Sequence, residues 1–99
     1  MLVAVRDAHI RDAKLRDEAL RSAKGMCLNI AEGAGRVTRA DKGRAYTIAR
    51  GEAVECAAAL EISALLGDAR AEDAARVAVL ADRVVAMLTR LIRLADCRL

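Results

Sequence analysis

Apolar positions along this chain recur at intervals of three and four residues, the spacing that keeps side chains on one face of an α-helix. Interruptions are few, and the clearest are the glycine-containing stretch Gly33–Gly35 and the pair Gly67–Asp68. They divide the chain into three segments, each long enough for a helix of several turns. The pattern therefore predicts an all-α protein.

The N-terminal segment allows two interpretations. Asp12 precedes an apolar-periodic stretch and is suited to be an N-cap. It would separate a short helix over about residues 2–10 from a longer helix over about 14–34. A single continuous helix over 2–34 agrees with the pattern equally well, since no residue there forbids it.

Two further helices are predicted, over about residues 39–66 and 70–97. Gly67 is expected at the C-cap of the first, because glycine accepts the left-handed backbone conformation found there. The main apolar stripes of the three long helices are Leu15, Ala19, Ala23, Met26 and Ile30; then Ala45, Ala49, Ala53, Cys56, Leu60 and Ala64; then Val77, Leu80, Ala81, Val84, Leu88, Leu91 and Ala95. A second stripe on the middle helix consists of Ile48, Glu52, Glu55, Ala59, Ile62 and Leu66.

The apolar arc of the last helix is broader than packing against one neighbour requires, because Val85, Met87 and Ile92 widen it. A chain of 99 residues forms one domain, here residues 1–99, and buries only a modest core. We therefore expect an up-and-down antiparallel helical bundle of the four-helix type, with a short first helix, that associates with copies of itself.

Composition adds little about chemistry but excludes some classes of protein. Aromatic residues make up 1% of the chain, there is no proline, and the formal net charge is +3, which permits an anionic partner without requiring one. No apolar run approaches the length of a membrane span or of a signal-peptide core, so a cytoplasmic location is expected. The cysteines Cys27, Cys56 and Cys97 suggest neither a disulfide framework nor a zinc site, and buried packing is the expected role of all three.

The stretch "NIAEGAGR" over residues 29–36 places Asn29 and Glu32 on one side of the second helix. Glu52 and Glu55 share one side of the next helix, which would be its antiparallel neighbour. We expect these groups to meet near the core, because buried carboxylates require partners, with Arg50, Arg21 and Ser22 as further candidate donors. The alternative is that the glutamates are solvated. In either case Gly33 and Gly35 would allow the chain to turn.

A basic run lies at the loop and at the start of the middle helix: Arg36, Arg39, Lys42 and Arg44, opposed only by Asp41. Such residues can contact phosphates. Stacking on single-stranded bases needs aromatic side chains, and Tyr46 is the only one. Any binding of RNA or DNA is therefore expected to involve the nucleic-acid backbone and to be nonspecific. A solvated basic face is the alternative.

Catalytic and cofactor chemistry is not indicated. His9 is the only histidine, so neither Glu-x-x-His metal pairs nor a hydrolytic triad can be assembled. The pattern "GAGR" matches neither a phosphate-binding loop nor a dinucleotide fingerprint. A helix-turn-helix DNA-binding protein remains an alternative, because residues 24–50 contain a helix, a glycine-rich turn and a helix. A helix crossing near perpendicular would favour that alternative, and long antiparallel helices would favour the bundle.

The segments "LRSAKGMCLNIAEGAGR" and "YTIARGEAVECAAALEISALLGD" resemble the four-helix bundle proteins related to those encoded in intervening sequences of bacterial 23S rRNA genes. That family is similar in turn to the accessory variability determinant of diversity-generating retroelements. The resemblance covers about residues 12–97. It rests on Asn29–Gly33, on Ala49–Gly51 and on Leu66–Gly67, while Glu52 occupies a position where serine is usual.

The resemblance implies cyclic homopentamers of antiparallel helical protomers without catalytic residues or cofactors. For the retroelement relatives it also implies a basic surface that binds nucleic acid, and a reverse transcriptase as protein partner. Members of the family usually carry a full first helix, whereas about eleven residues precede the matching region here. The first helix is therefore expected to be truncated, or the bundle to be completed by another chain.

Overall fold

A computed structural model describes residues 1–96 of the chain. These residues form four α-helices and no strand: α1 (Leu2–Asp7), α2 (Ala13–Gly35), α3 (Arg39–Leu65) and α4 (Ala71–Asp96). The predicted all-α fold is confirmed, and the long helices begin and end within a few residues of the predicted positions. The predicted last residue of α4, Cys97, lies outside the described residues. None of the helices in residues 1–96 is long and apolar enough to cross a membrane.

The break between α1 and α2 decides between the two interpretations of the N-terminal segment. Asp12 is the N-cap of α2, and its carboxylate accepts a hydrogen bond of 2.9 Å from the backbone N–H of Leu15. His9, just before it, has a φ of 48°, which a continuous helix does not allow. Two helices are therefore present, and the alternative of one helix over residues 2–34 is wrong.

The turn between α2 and α3 does not depend on glycine as predicted. Gly33 and Gly35 both belong to α2, and neither has a positive φ. Gly33 is needed for packing instead, because a Cβ atom there would lie 2.5 Å from Cε1 of Tyr46. The chain turns at residues 36–38, and Thr38 caps α3 by accepting a hydrogen bond from the N–H of Asp41.

The turn between α3 and α4 agrees with the sequence prediction. Gly67 has a φ of 78°, the left-handed conformation that favours glycine after a helix. The backbone N–H groups of Asp68 and Ala69 then donate to the carbonyl of Ser63, at 2.7 and 3.2 Å. Arg11 donates to the carbonyl of Gly67 at 2.7 Å, so this turn is held against the start of α2.

The three long helices lie along a rod of 50 × 19 × 17 Å, with α3 antiparallel to both α2 and α4. Contacts pair α2 with α3 in a regular antiparallel register, with Cys56 Sγ donating to the Ala19 carbonyl and Tyr46 covering Gly33. Helix α3 also packs along α4, while α1 contacts α2 and α4. This is the order of a square four-helix bundle in which α2 and α4 occupy diagonal corners.

The fourth corner of the bundle is only partly filled, because α1 has 6 residues whereas α2 has 23. We call the half of the rod that contains α1 and the α3–α4 turn the closed half. The half that contains the α2–α3 turn is the open half. Beyond α1, a trough runs between α2 and α4 in the open half.

Each half has its own cluster of buried residues. In the closed half these are Val5, Ala8, Ile10, Ala19, Ala23, Cys56, Ala59, Leu60 and Val77. In the open half they are Met26, Tyr46, Ala49, Ala53 and Leu88. The main predicted stripes thus supply most of the core, although Leu91 is 38% exposed. The expectation that Cys27 is buried is wrong, since it lies on the outer edge of α2; Cys56 is buried.

Candidate nucleic-acid interface

The α2–α3 turn brings the predicted basic residues to one end of the rod. Arg36 follows the last residue of α2, and Arg39 is the first residue of α3. Lys42 and Arg44 lie in the first two turns of α3. All four are therefore close in space because the turn is short. Their hydrogen bonds and ion pairs within the protein differ, however, and these contacts affect how each side chain could bind a phosphate.

The Lys42 side chain caps the end of α2. Its ammonium group donates hydrogen bonds of 3.1 Å to the carbonyls of Gly33 and Ala34. These carbonyls belong to the last turn of α2, where backbone acceptors lack helical partners and the helix dipole is negative. Lys42 therefore stabilises the α2–α3 connection, and its charge is largely committed to the protein.

Arg36 forms an ion pair with Glu32, one turn earlier in α2. The hydrogen bond that Arg36 donates to this carboxylate raises the pKa of the Arg36 guanidinium, and both side chains are about half exposed. Arg44 is exposed and lines a shallow cavity of about 170 Å³ together with Glu32 and Asp41. Arg39 is exposed and lines a second cavity on the α4 side. Arg39 and Arg44 thus both lie on the exposed surface at this end of the rod.

The predicted polar contact between α2 and α3 involves only some of its candidates. Asn29 donates a hydrogen bond of 2.8 Å to the carboxylate of Glu52 and another of 3.1 Å to the Gly25 carbonyl. A Cβ atom at Gly25 would lie 1.8 Å from Oε2 of Glu52. Glycine at position 25 therefore makes the space in which the Glu52 carboxylate lies against α2.

The other members of the predicted polar network point elsewhere. Glu32 and Glu55 are exposed, so the expectation that they are buried is wrong. Glu32 pairs with Arg36, and Arg21 pairs with Glu18 and lowers the pKa of that carboxyl group. Arg50 points to the other side of α3, where it donates a hydrogen bond of 3.2 Å to the Thr89 hydroxyl in α4. Among the described residues, Ser22 Oγ is buried without a hydrogen-bond partner.

The geometry also bears on the alternatives considered for this region. Helices α2 and α3 run antiparallel along most of their length, rather than crossing near perpendicular as a helix-turn-helix requires. Among residues 1–96, no group of three or more His, Cys, Asp and Glu side chains is placed to hold a metal ion. The long antiparallel pair favours a bundle scaffold over a DNA-reading motif.

Three further basic residues were not singled out by the sequence reasoning. Arg76, Arg83 and Arg90 are exposed on α4 and recur every seven residues, so they lie on one side of that helix. Their regular spacing is visible in the sequence and would have been the signal. Unlike the residues of the basic run, these three arginines border an apolar surface.

Comparison with known proteins agrees with the fold. The model of the 23S rRNA-intervening sequence protein family matches residues 6–90, which include α2, α3 and most of α4. A comparison with curated protein sequences finds no match. The resemblance inferred from residues 29–33 and 49–51 is thus confirmed over most of the chain. The chain belongs to the 23S rRNA-intervening sequence protein family.

Proposed function

We propose that this chain is a non-enzymatic, cytoplasmic helical scaffold that associates with copies of itself and binds RNA or DNA through phosphate oxygens. The observation that carries the proposal is the basic end of the rod, where exposed Arg39 and Arg44 lie beside Arg36 and Lys42. Arginine binds phosphate oxygens in bidentate fashion, without reading sequence. The proposed interface is therefore nonspecific.

A non-enzymatic role is supported by the kind of titratable groups that the described residues contain. Raised or lowered pKa values belong to surface ion pairs, such as Arg70 with Glu72, and to the buried Cys56 thiol. Ion pairs between exposed side chains are common structural features and do not by themselves indicate a catalytic site. Free thiols at Cys27 and Cys56 also agree with a reducing compartment such as the cytoplasm.

Self-association is supported by apolar side chains exposed along the α2–α3 side of the rod. Ile48, Ile62 and Leu66 are 49%, 46% and 67% exposed, and they alternate with carboxylates and guanidinium groups of both helices. A surface that mixes apolar groups with both signs of charge can pair with another copy of itself. The cyclic form and the number of five come from the resemblance alone.

Light scattering coupled to size-exclusion chromatography tests the self-association. We expect a mass several times that of one chain at micromolar concentration. The double variant Ile48→Glu and Ile62→Glu should lower this mass. The variant Val79→Glu, on the exposed side of α4, is the matched control. A monomer in the unmodified protein would contradict this part of the proposal.

A mobility-shift titration tests the phosphate contacts. With two contacts per chain, raising the salt from about 50 to about 200 mM should weaken binding about tenfold, and more in an assembly that repeats the site. Arg39→Ala combined with Arg44→Ala should abolish the shift. A double variant at the other end of the rod, Arg11→Ala and Arg70→Ala, should leave it unchanged. Equal binding by both double variants would overturn the proposed interface.

A scaffold that binds only proteins is the second candidate, with a partner such as the reverse transcriptase that the resemblance implies. The specific observation in its favour is the exposure of Met87 and Leu94 on α4, at 58% and 67%. Apolar surface of this kind is typical of protein interfaces rather than of phosphate binding. Retention of a protein partner without any mobility shift would favour this candidate.

A further inference from the structure

A cleft of about 570 Å³ is formed by α3 and α4 alone. Its lining residues are Thr47, Arg50, Gly51 and Val54 of α3, and Val85 and Thr89 of α4. Nothing lies within 4 Å of the position that a Cβ atom would take at Gly51, so the α3 wall of the cleft is low there. Because α1 and α2 contribute no lining residue, the cleft does not depend on how the fourth corner of the bundle is filled.

Arg50 is the charged residue that lines this cleft. Its side chain reaches from α3 to α4, where it donates a hydrogen bond of 3.2 Å to the Thr89 hydroxyl, and the residue is partly buried. This contact holds the side chain in one direction across the cleft. It uses only part of the donor capacity of a guanidinium and leaves the positive charge without a counter-charge. Glu52, the nearest carboxylate in the sequence, lies against α2 instead.

The other acidic residues on this side of α3 and α4 are far from the guanidinium of Arg50. Glu61 follows Arg50 by eleven residues, which is about 16 Å along the helix axis. Asp82 and Asp96 are each seven residues from Thr89, or about 10 Å along α4. No carboxylate of residues 1–96 forms an ion pair with Arg50. A partly buried cation of this kind is stabilised when an external anion completes it.

The remaining lining groups limit the kind of anion that fits. The Thr89 hydroxyl accepts a hydrogen bond from Arg50 and can donate its own hydrogen, whereas the Thr47 hydroxyl donates to a backbone carbonyl of α3. Val54 and Val85 place apolar side chains on both walls. A single cation favours a single negative charge, and the two valines favour an aliphatic group beside that charge.

We propose that this cleft binds a small aliphatic carboxylic acid in its ionised form. The carboxylate would accept hydrogen bonds from Arg50 and Thr89, and the aliphatic chain would lie between Val54 and Val85. Paired, charge-assisted hydrogen bonds of this type are characteristic of arginine with carboxylates. The site is separate from the phosphate contacts and from the self-association surface proposed above, since none of their residues lines it.

Nucleic acid fits the cleft less well than an aliphatic carboxylate. A phosphodiester also carries one negative charge and would satisfy the guanidinium of Arg50. However, Val54 and Val85 would then lie against a charged and polar backbone, and their apolar surface would gain nothing from the contact.

A titration followed by the amide NMR signals of Gly51 and Thr89 tests the class of ligand. We expect hexanoate to shift these signals and to bind at least about tenfold more tightly than hexylamine, which has the same chain and the opposite charge. Acetate, which has the charge without the chain, should bind more weakly than hexanoate. Tighter binding of dimethyl phosphate than of hexanoate would overturn the proposal in favour of a phosphodiester.

Three variants test the position of the ligand. Arg50→Gln should weaken hexanoate binding by at least about tenfold, whereas Arg90→Gln, at an exposed arginine outside the cleft lining, should leave it unchanged. Val54→Glu should abolish binding, because it places a carboxylate one helical turn from Arg50 at a position that is 54% exposed.

Two results would contradict the proposed position. Equal binding of hexanoate by the unmodified protein and by Arg50→Gln would remove the guanidinium from the site. Signals of Gly51 and Thr89 that move with protein concentration, and that hexanoate does not move, would assign the cleft to a second copy of the chain. The double variant Arg39→Ala and Arg44→Ala should bind hexanoate normally, so a failure of the phosphate contacts is distinguishable from a failure of this site.

Discussion

The closed and open halves of the rod are built from the same three long helices, yet they differ in how completely the core is covered. In the closed half, α1 fills the fourth corner, and Leu60 and Val77 are fully buried. In the open half, Met1 packs against the core cluster but no helix of residues 1–96 fills that corner, and Leu91 of the same apolar arc and the neighbouring Leu94 remain exposed. Apolar residues at helical spacing are therefore buried only where a neighbouring helix covers them.

The comparison has a functional consequence. In the closed half, Arg11 donates a hydrogen bond to the Gly67 carbonyl, and backbone hydrogen bonds hold the turn after α3 in place. The open half carries the basic end, the trough and the exposed Cys27. The proposed phosphate contacts therefore lie at the end of the rod opposite α1.

The largest expected effect is the difference in the free energy of unfolding between two leucine variants, one from each half. Leu60→Ala in the closed half should lower the free energy of unfolding by about 2–5 kcal/mol, because it leaves a cavity in a covered core. Leu94→Ala in the open half should change it by less than about 0.5 kcal/mol, because that side chain is 67% exposed. Urea denaturation of both variants measures the difference. Equal losses would show that the open half is covered in solution.

The next effect concerns two glycines near the end of α2. Gly33→Ala should lower the free energy of unfolding by about 1–3 kcal/mol, because the added Cβ would collide with the ring of Tyr46 in the core of the open half. Gly35→Ala is the control, since nothing lies within 4 Å of its Cβ position, and it should be neutral or slightly stabilising. Loss of stability in both variants alike would indicate a backbone effect instead of the contact with Tyr46.

A smaller effect depends on pH and on the buried thiol of the closed half. Burial raises the pKa of Cys56 from 9.0 to about 11, so the native state keeps this proton at pH values where the unfolded state loses it. Stability should therefore fall as the pH rises from about 9 to about 11, by roughly 1 kcal/mol at pH 10, and should not depend on this group below about pH 8.

The Cys56→Ala variant isolates this contribution, because the other alkaline groups titrate in both proteins. Unfolding free energies at pH 8 and pH 10 should differ less in the variant than in the unmodified chain. An identical pH dependence in the two proteins would mean that the closed half admits water around residue 56.

The smallest effect concerns the carboxylates between α2 and α3. Glu52→Ala should cost about 1 kcal/mol, since Asn29 then loses its partly buried partner. Glu32→Ala and Glu55→Ala should each cost less than about 0.5 kcal/mol, because both side chains are exposed. Thermal or urea unfolding of the three variants ranks them. A loss of unfolding free energy at Glu55 as large as that at Glu52 would instead support the buried network expected from the sequence.

Much of the fold could be predicted because it depends on local features. Helix periodicity, the Asp12 cap and the left-handed Gly67 each act within a few residues, and each is present where the sequence places it. The family resemblance also rests on a short local motif, residues 29–33, and the matching family model confirms it. The length and antiparallel order of the long helices follow from these features and from the short turns.

The candidate site could be predicted only in part, because equivalent positions on one helix face have different neighbours. Glu52 and Glu55 lie one turn apart, but only Glu52 meets the gap that Gly25 leaves in α2. Lys42 belongs to a basic run in the sequence, yet it reaches the carbonyls of Gly33 and Ala34 across the turn. Such outcomes depend on the distance and rotation between helices, which the sequence pattern does not specify.

The sequence by itself determined that this chain forms long amphipathic helices with short turns and belongs to a particular helical family. The tertiary structure decided which faces are covered, and so separated a closed half from an open half. The physical reason is that helix formation is governed by local hydrogen bonds and side-chain spacing, whereas burial is governed by what packs opposite. The partly filled fourth corner, for example, is seen only when α2 and α4 are placed at diagonal corners with no helix between them in the described residues.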